Sequence, residues 1–488
     1  MSTKFVATPG DDSPPFTQAP WLTPRRLIGF VIGWLALFAI LSAFVSNPFQ
    51  SEASASSGPD YAHVMFLHGL LIGMVGLMAL LTLQVFAIRS MHIRLWIAGG
   101  VVVATVLASI GGIWDKTIPG SEVAMWTQIF GFFALDEILA LLVIGLLIEW
   151  RRGAVVTRSL TFLAGALAAF AMLVAAVMGH IAGWLMEFGY APAFLGNIGS
   201  WLGFGKLDDF SGALVGSHSH EMAVGAMALT VVILAQQFGY AGLTGVSRIV
   251  SRVGIGMVAA GTAIMTVLYV VMGFTTWSAP TFFESANGGI PSDDIVTGIL
   301  VMAGGVVVAA GFLGKLTGWA PARLAAIWAW VLSFATIVVA GYTIELNTNY
   351  FGAGDPKAAG AAKDAIFTWL HQDIGLFLLP TVVLVMLAVE RLVSSRRGRP
   401  SLIGLATIAG ISILFAGGMV WSFIDPTLYG SGYILSTIGL LFVGLAVLAT
   451  VWWGVIRGRT ETVSRPVVDV KLSELTVVAE PKVPAGVR

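Results

Sequence analysis

The chain contains no cysteine. That excludes disulfides, thiolate metal sites, iron–sulfur clusters and covalently attached c-type haem, so any metal or haem must be held by histidine, carboxylate or methionine. Charge is scarce as well. Only 11% of the 488 residues are Asp, Glu, Lys or Arg, less than half the roughly 25% of a soluble domain. The formal net charge is zero, so no basic footprint points to nucleic acid as a partner. The first residues, from Met1 to Pro24, are polar and proline-bearing. They lack the apolar centre of a signal peptide.

What the chain has instead is hydrocarbon: 57% of its residues are hydrophobic. Apolar stretches of the length needed to cross a bilayer, about 20 residues, fall at 27–46, 63–88, 95–114, 123–149, 159–185, 213–238, 251–274, 295–315, 322–343, 365–390, 402–423 and 431–456. The expectation is an all-α polytopic membrane protein of about twelve transmembrane helices spanning 27–456. A cytoplasmic segment, 1–26, precedes it, and a polar, disordered cytoplasmic tail, 457–488, follows.

Charge between the stretches gives the orientation. Arg25, Arg26, Arg89, Arg94, Arg151, Arg152, Arg158, Arg248, Arg252, Lys315, Arg323, Arg396, Arg397, Arg399, Arg457 and Arg459 all fall on one side. The opposite loops carry Glu52, Asp60, Asp115, Asp208, Asp209, Glu284, Asp293, Asp294, Asp355 and Asp425. The positive-inside rule then places both termini in the cytoplasm of a cell-membrane protein.

Orientation gives the histidines a depth. His68, His220 and His371 recur at intervals of 152 residues (68 to 220) and 151 residues (220 to 371), each with a glycine four or five positions on: Gly73, Gly225 and Gly375. A near-constant period suggests a repeated helical unit. All three sit near the outer ends of the second, sixth and tenth stretches. His63, His180 and His218 share that level, and His92 alone lies in a cytoplasmic loop. An imidazole in a membrane helix is costly without a partner and is a functional candidate by default.

This arrangement resembles subunit I of the haem–copper oxidases and nitric oxide reductases. The resemblance implies three pseudo-repeated arcs of four helices, low-spin haem b ligated by His68 (followed by Gly69) and His371, and a second metal at His218 or His220. It implies respiratory electron transfer, with electrons from a quinol or an outer-face cytochrome or cupredoxin, partner subunits, and reduction of oxygen or nitric oxide near the outer face. The departures are specific. The tenth stretch reads Trp369-Leu370-His371-Gln372-Asp373, with one histidine where the family has two. The seventh ends Phe274-Thr275-Thr276-Trp277-Ser278, without the family's histidine pair, and Phe423-Ile424-Asp425 stands where paired arginines hold haem propionates. An oxidoreductase of this kind would have an altered binuclear centre.

The residues also carry plainer readings. His68 and His371 serve equally as polar glue between helices, and Gly69 and Gly73 as close-packing residues. At about 100° per residue, His218 and His220 point to opposite faces while His218 and Glu221 share one. His218, Glu221 and His180 are therefore candidate ligands for copper, non-haem iron or zinc, or else a hydrogen-bonded cluster. Asp136 and Glu137 sit at mid-membrane in the fourth stretch, as a proton path or as carboxyls bonded to a neighbouring helix. Trp184, Trp201, Trp277 and Trp421 fit an outer aromatic belt, and Trp277 and Trp369 are candidates to flank a haem. The rival class is a proton- or metal-ion-coupled transporter, whose binding groups would lie at the midplane. Here the polar residues gather beneath the outer face, which favours redox chemistry. Across the cytoplasmic half the second, sixth and tenth stretches offer only Gln84, Gln236, Gln237 and Glu390, so protons are expected from the outer side.

Overall fold

A computed structural model describes residues 24–45, 61–118, 121–153, 159–187, 193–278, 281–282, 290–291, 296–313, 321–346, 365–393, 399–424 and 430–452. The terminal segments and most of the acidic loop residues lie outside these ranges. So do the side chains of His63, Gly69, Trp184, Trp369, Gln372 and Asp373.

The chain is helical throughout its described core. In order come α1 (Pro24–Val45), α2 (Tyr61–Val85), α3 (Met91–Thr117), α4 (Glu122–Arg151), α5 (Leu160–Glu187), α6 (Ala193–Trp201), α7 (Leu207–Gln237) and α8 (Gly245–Phe274). Next is α9, which begins as a π-helix (Thr297–Met302) and continues as an α-helix (Ala303–Ala310). After α10 (Pro321–Leu346), α11 likewise has a π-helical first half (Ala365–Leu378) and an α-helical second half (Leu379–Val393). The last two are α12 (Arg399–Phe423) and α13 (Ser431–Val451). Eight of these, namely α3, α4, α5, α7, α8, α10, α12 and α13, are long and apolar enough to cross a membrane. The protein is therefore a multi-pass membrane protein in contact with lipid. Shorter apolar runs at Arg26–Leu37, Leu71–Val85, Thr297–Ala310 and Ile374–Glu390 fall within the other four expected stretches. Two elements were not expected: the nine-residue α6, and a small antiparallel hairpin pairing Thr281–Phe282 with Ile290–Pro291.

Local chemistry sets the helix starts. Ser121 caps α4, its hydroxyl accepting from the Ala124 amide at 3.4 Å, and Glu122 in the first turn complements the helix dipole. Hydroxyls inside the bundle turn back on their own helices, as Thr230, Thr262 and Thr381 do to the carbonyls four residues before. That removes the cost of an unpaired polar group in hydrocarbon. Small residues bring the helices together. A methyl group added at Gly432 of α13 would strike the backbone of Trp421 in α12, and one at Gly131 of α4 would meet the Ala108 amide of α3 at 2.7 Å.

Burial separates a centre from a shell. In α7, 78% of the most apolar window is buried, against 39–56% for the other seven long helices. The inner parts of α2 (Ile72–Leu83) and α11 (Leu379–Val389) are buried without a break. These three helices touch one another. The helices that carry His68, His218, His220 and His371 are thus the central ones, enclosed by the rest.

At the arginine-bearing end, buried polar groups tie the helices together. Glu149 of α4 is 1% exposed and accepts from the Arg89 amide at 3.0 Å and from Arg152 at 2.9 Å. Glu390 of α11 pairs with Arg323 of α10 and accepts from Gln237 of α7 at 3.2 Å, and Gln237 also donates to the Leu387 carbonyl at 2.7 Å. Gln236 donates to Thr161 of α5.

Candidate functional site

The opposite half of the bundle holds the histidines. His68 of α2 and His218 of α7 lie with near-parallel rings, 8° apart in plane and 6.2 Å between centroids. On the other side of α7, the His220 ring stacks on buried Tyr269 of α8 at 5.6 Å. His371 of α11 lies close enough to His220 for their charges to interact. Opposite faces of one turn of this central helix therefore look into two neighbourhoods, His218 towards α2 and α5 and His220 towards α8 and α11.

Three of these imidazoles are oriented the same way. His218 donates from Nδ1 to the Ala175 carbonyl of α5 at 2.7 Å, His220 from Nδ1 to the Gly216 carbonyl at 2.8 Å, and His180 from Nδ1 to Asp136 Oδ2 at 2.5 Å. Oxygens of these kinds only accept, so each Nδ1 carries the proton in the neutral ring and each Nε2 keeps its lone pair. Histidines that bind metals have this arrangement, with the second nitrogen fixed by a carbonyl or carboxylate. The Nε2 of His180 is buried without a hydrogen-bond partner among the described residues. Gly179 makes room for the His218 ring, since any Cβ at that position would collide with it.

Glu221 is fully buried on the α8 side. Thr266 is its neighbour, but the Thr266 hydroxyl already donates to the Thr262 carbonyl at 2.8 Å. Neither carboxylate oxygen has a hydrogen-bond partner among the described residues. A carboxyl placed like this must be satisfied by a proton or a cation. Although α7 is central, Ser219 and His220 are exposed at this end.

Both halves of α11 pack on α10; the inner half also touches α1, α2 and α7, and the π-helical outer half also touches α12. π-helical turns are rare and frequently sit at functional sites. Here Ser333 of α10 donates to the Gly375 carbonyl at 2.6 Å, holding the segment that carries His371.

The expected site residues are distributed as follows. His68, His180 and His218 gather on one side of α7, with Phe132 touching His68 at 5.5 Å and His180 at 6.5 Å. His220, Glu221 and His371 lie on the other, so His218 and Glu221 part company despite their i, i+3 spacing. Among the described residues, no three His, Asp or Glu side chains converge as a metal site would require. Gly73 packs α2 against Leu35 of α1 and Thr105 of α3, which is its helix-packing reading. Asp136 is bonded to a neighbouring helix, at the level of His180 and not below it. Glu137 is exposed on the outer face of α4, and His92 is exposed at the arginine-bearing end. Trp201 is 84% exposed and Trp277 44%, whereas Trp421 is 6% exposed and packs edge-on against Tyr433, which places it within the bundle and not in a belt. Sequence reasoning missed the Asp136–His180 bond, the role of Gly179 and the placement of Tyr269. No spacing announces contacts between separate helices.

No protein-family model, curated protein or solved structure matches this chain significantly.

Proposed function

We propose that this chain is an integral haem b protein of respiratory-type electron transfer. It resembles subunit I of the haem–copper oxidases and nitric oxide reductases, with twelve membrane spans and both termini cytoplasmic. It would pass electrons towards the reduction of oxygen or nitric oxide near the outer face. One observation carries this reading: three mutually packed central helices carry His68, His220 and His371 in the same half of the bundle.

The residues fit a haem in this sense. His371 sits on an irregular helical segment beside His220 and His68 lies beside His218, so a haem held by both would join the two neighbourhoods on either side of α7. His68 and His371 would hold the iron. When bound, the haem supplies one-electron transfer at that iron. The protein's own groups then orient the ligands and keep water away: Phe132 covers His68, and Ser333 fixes the backbone beside His371. His218, His180, Glu221 and His220 are the residues available to a second metal or to the reacting oxygen species. They stand in two groups, which favours a haem centre without a family-type binuclear site.

A transporter is the second reading. The Arg323–Glu390–Gln237 cluster would then close the arginine-bearing end, while Ser219 and His220 are exposed at the other. The absorption spectrum of the detergent-purified protein separates the two. A b-type spectrum that sharpens on reduction supports the redox reading, and a protein without haem from haem-replete cells removes it.

A further inference from the structure

We propose that the outward face of α4 is an interface between two copies of this chain, with the two Glu137 carboxyl groups hydrogen-bonded to each other at its centre. It holds under either reading above. Along α4, Trp126, Phe130, Phe133, Glu137, Ile144 and Leu147 are all exposed, the five apolar ones by 43–58%. Their spacing, in steps of four, three, four, seven and three residues, puts them on one stripe down a single helix. Glu137 stands at the middle of that helix, Glu122–Arg151.

An apolar stripe turned to lipid needs no partner. The other long helices around the centre, α3, α5, α8, α10, α12 and α13, expose no ionisable side chain at mid-span among the described residues. Val103 of α3, Phe170 of α5, Val267 of α8 and Phe442 of α13 are what they turn outward there. Glu137 breaks that pattern. Ionisable groups inside a membrane almost always face the bundle interior or pair with one another, because hydrocarbon offers them nothing. The adjacent Asp136 has its partner in His180, whereas Glu137 has none among the described residues. Its partner must therefore come from outside the chain, at the same depth.

A second copy supplies what the stripe lacks. Two copies inserted the same way are related by a two-fold axis along the membrane normal, which sets two α4 helices side by side and parallel. Near such an axis each residue meets its own counterpart. Helices that cross at their midpoints then bring Glu137 against Glu137. A protonated carboxyl both donates and accepts, so two of them satisfy each other without any other protein. Steps of three and four residues are the pattern of helices packed at a small crossing angle. Ala140, one turn from Glu137 and part-buried, is small enough to let the backbones approach there. Trp126 and Phe130, with rings 6.4 Å apart, cover one end of the contact, and Ile144 and Leu147 the other. Phe133 stacks on His180 at 4.8 Å, so the interface lies one ring away from the histidine-bearing half of the bundle.

The test is disulfide cross-linking of the full-length protein in its own membranes, which is clean because the chain has no cysteine. Phe133→Cys, Ala140→Cys and Ile144→Cys should each give a linked dimer on oxidation with copper phenanthroline. Phe170→Cys and Val267→Cys, exposed on other helices, should not. Sedimentation equilibrium in detergent then reads the role of the carboxyl. Glu137→Ala should raise the dimer dissociation constant by about tenfold or more, the loss of the hydrogen bonds at the centre. Glu137→Gln should keep most of the affinity, because an amide also donates and accepts. No linked dimer from any α4 variant overturns the proposal, and so does equal linking of the Phe170 and Val267 variants, the mark of random collision. Linking of Phe133→Cys to a different polypeptide overturns it by assigning the face to another subunit. A dissociation constant unchanged in Glu137→Ala overturns the carboxyl pair.

Discussion

His180 Nδ1 stands 2.5 Å from Asp136 Oδ2, joining α5 to α4 at the level of the other histidines. An imidazole expected under the outer face and a carboxyl expected at mid-membrane are one hydrogen-bonded group. The bond fixes the tautomer of His180 and answers the cost of placing a carboxyl in an apolar span.

Removing that carboxyl should be felt as stability before anything else. Asp136→Ala leaves His180 with neither nitrogen partnered, and unfolding should shift by about 1–3 kcal/mol. Asp136→Asn should cost less, because the amide oxygen still accepts. Thermal unfolding of the two variants in detergent checks the order; equal losses would mean that the charge, and not the hydrogen bond, is what matters.

Haem content tests the ligands. His68→Ala and His371→Ala should each abolish the low-spin b-type spectrum, because one imidazole alone would not hold a low-spin iron. Full retention in the His68 variant would sink that assignment and direct attention to His220, which lies beside His371. Metal analysis of the wild-type protein should find iron alone, since His218 and Glu221 face different neighbours.

Gly179 offers a test of packing at the site. Gly179→Ala puts a Cβ into the His218 ring, which has to give up its bond to the Ala175 carbonyl. Overpacking of this kind costs about 1–3 kcal/mol. A variant with wild-type stability and an unchanged spectrum would show that the His218 ring is free to move.

At the arginine-bearing end, Glu390→Ala should destabilise the protein by about 1–3 kcal/mol, leaving Arg323 without its carboxylate and Gln237 without one acceptor. The exchanged pair, Arg323→Glu with Glu390→Arg, should recover part of that loss. A double-mutant cycle with no coupling energy would remove Arg323–Glu390 as a structural tie.

Proton traffic follows from where the polar groups lie. If quinol oxidation and oxygen or nitric oxide reduction both exchange protons at the outer face, release and uptake cancel. Turnover in proteoliposomes should then produce no net acidification outside. Outward pumping abolished by Glu137→Gln would place a proton path through α4 instead.

Some of this was legible in the residues alone. Lack of charge and runs of apolar residues dictate membrane helices, because a backbone in hydrocarbon must bond within its own segment. His68, His220 and His371 stood out for the same reason: an imidazole in such a helix is conspicuous whatever surrounds it. The paired arginines at loop after loop were equally plain. These are one-dimensional properties, set by each segment's own exchange between water and lipid.

Contacts between helices were not legible. Whether Asp136 meets His180 depends on the rotation and depth of α4 against α5, which follow from how each packs on its other neighbours, α4 on α3 at Gly131 and α5 on α7 at Gly179. Whether His218 joins Glu221 or His68 depends on which helices flank α7; the i, i+3 spacing put the first pair on one face, but the packed neighbours divided that face between α5 and α8. Composition chose the helices, and the tertiary packing alone decided which of their polar groups meet, because in lipid every helix is apolar outside and only the fit of one surface to another distinguishes its neighbours.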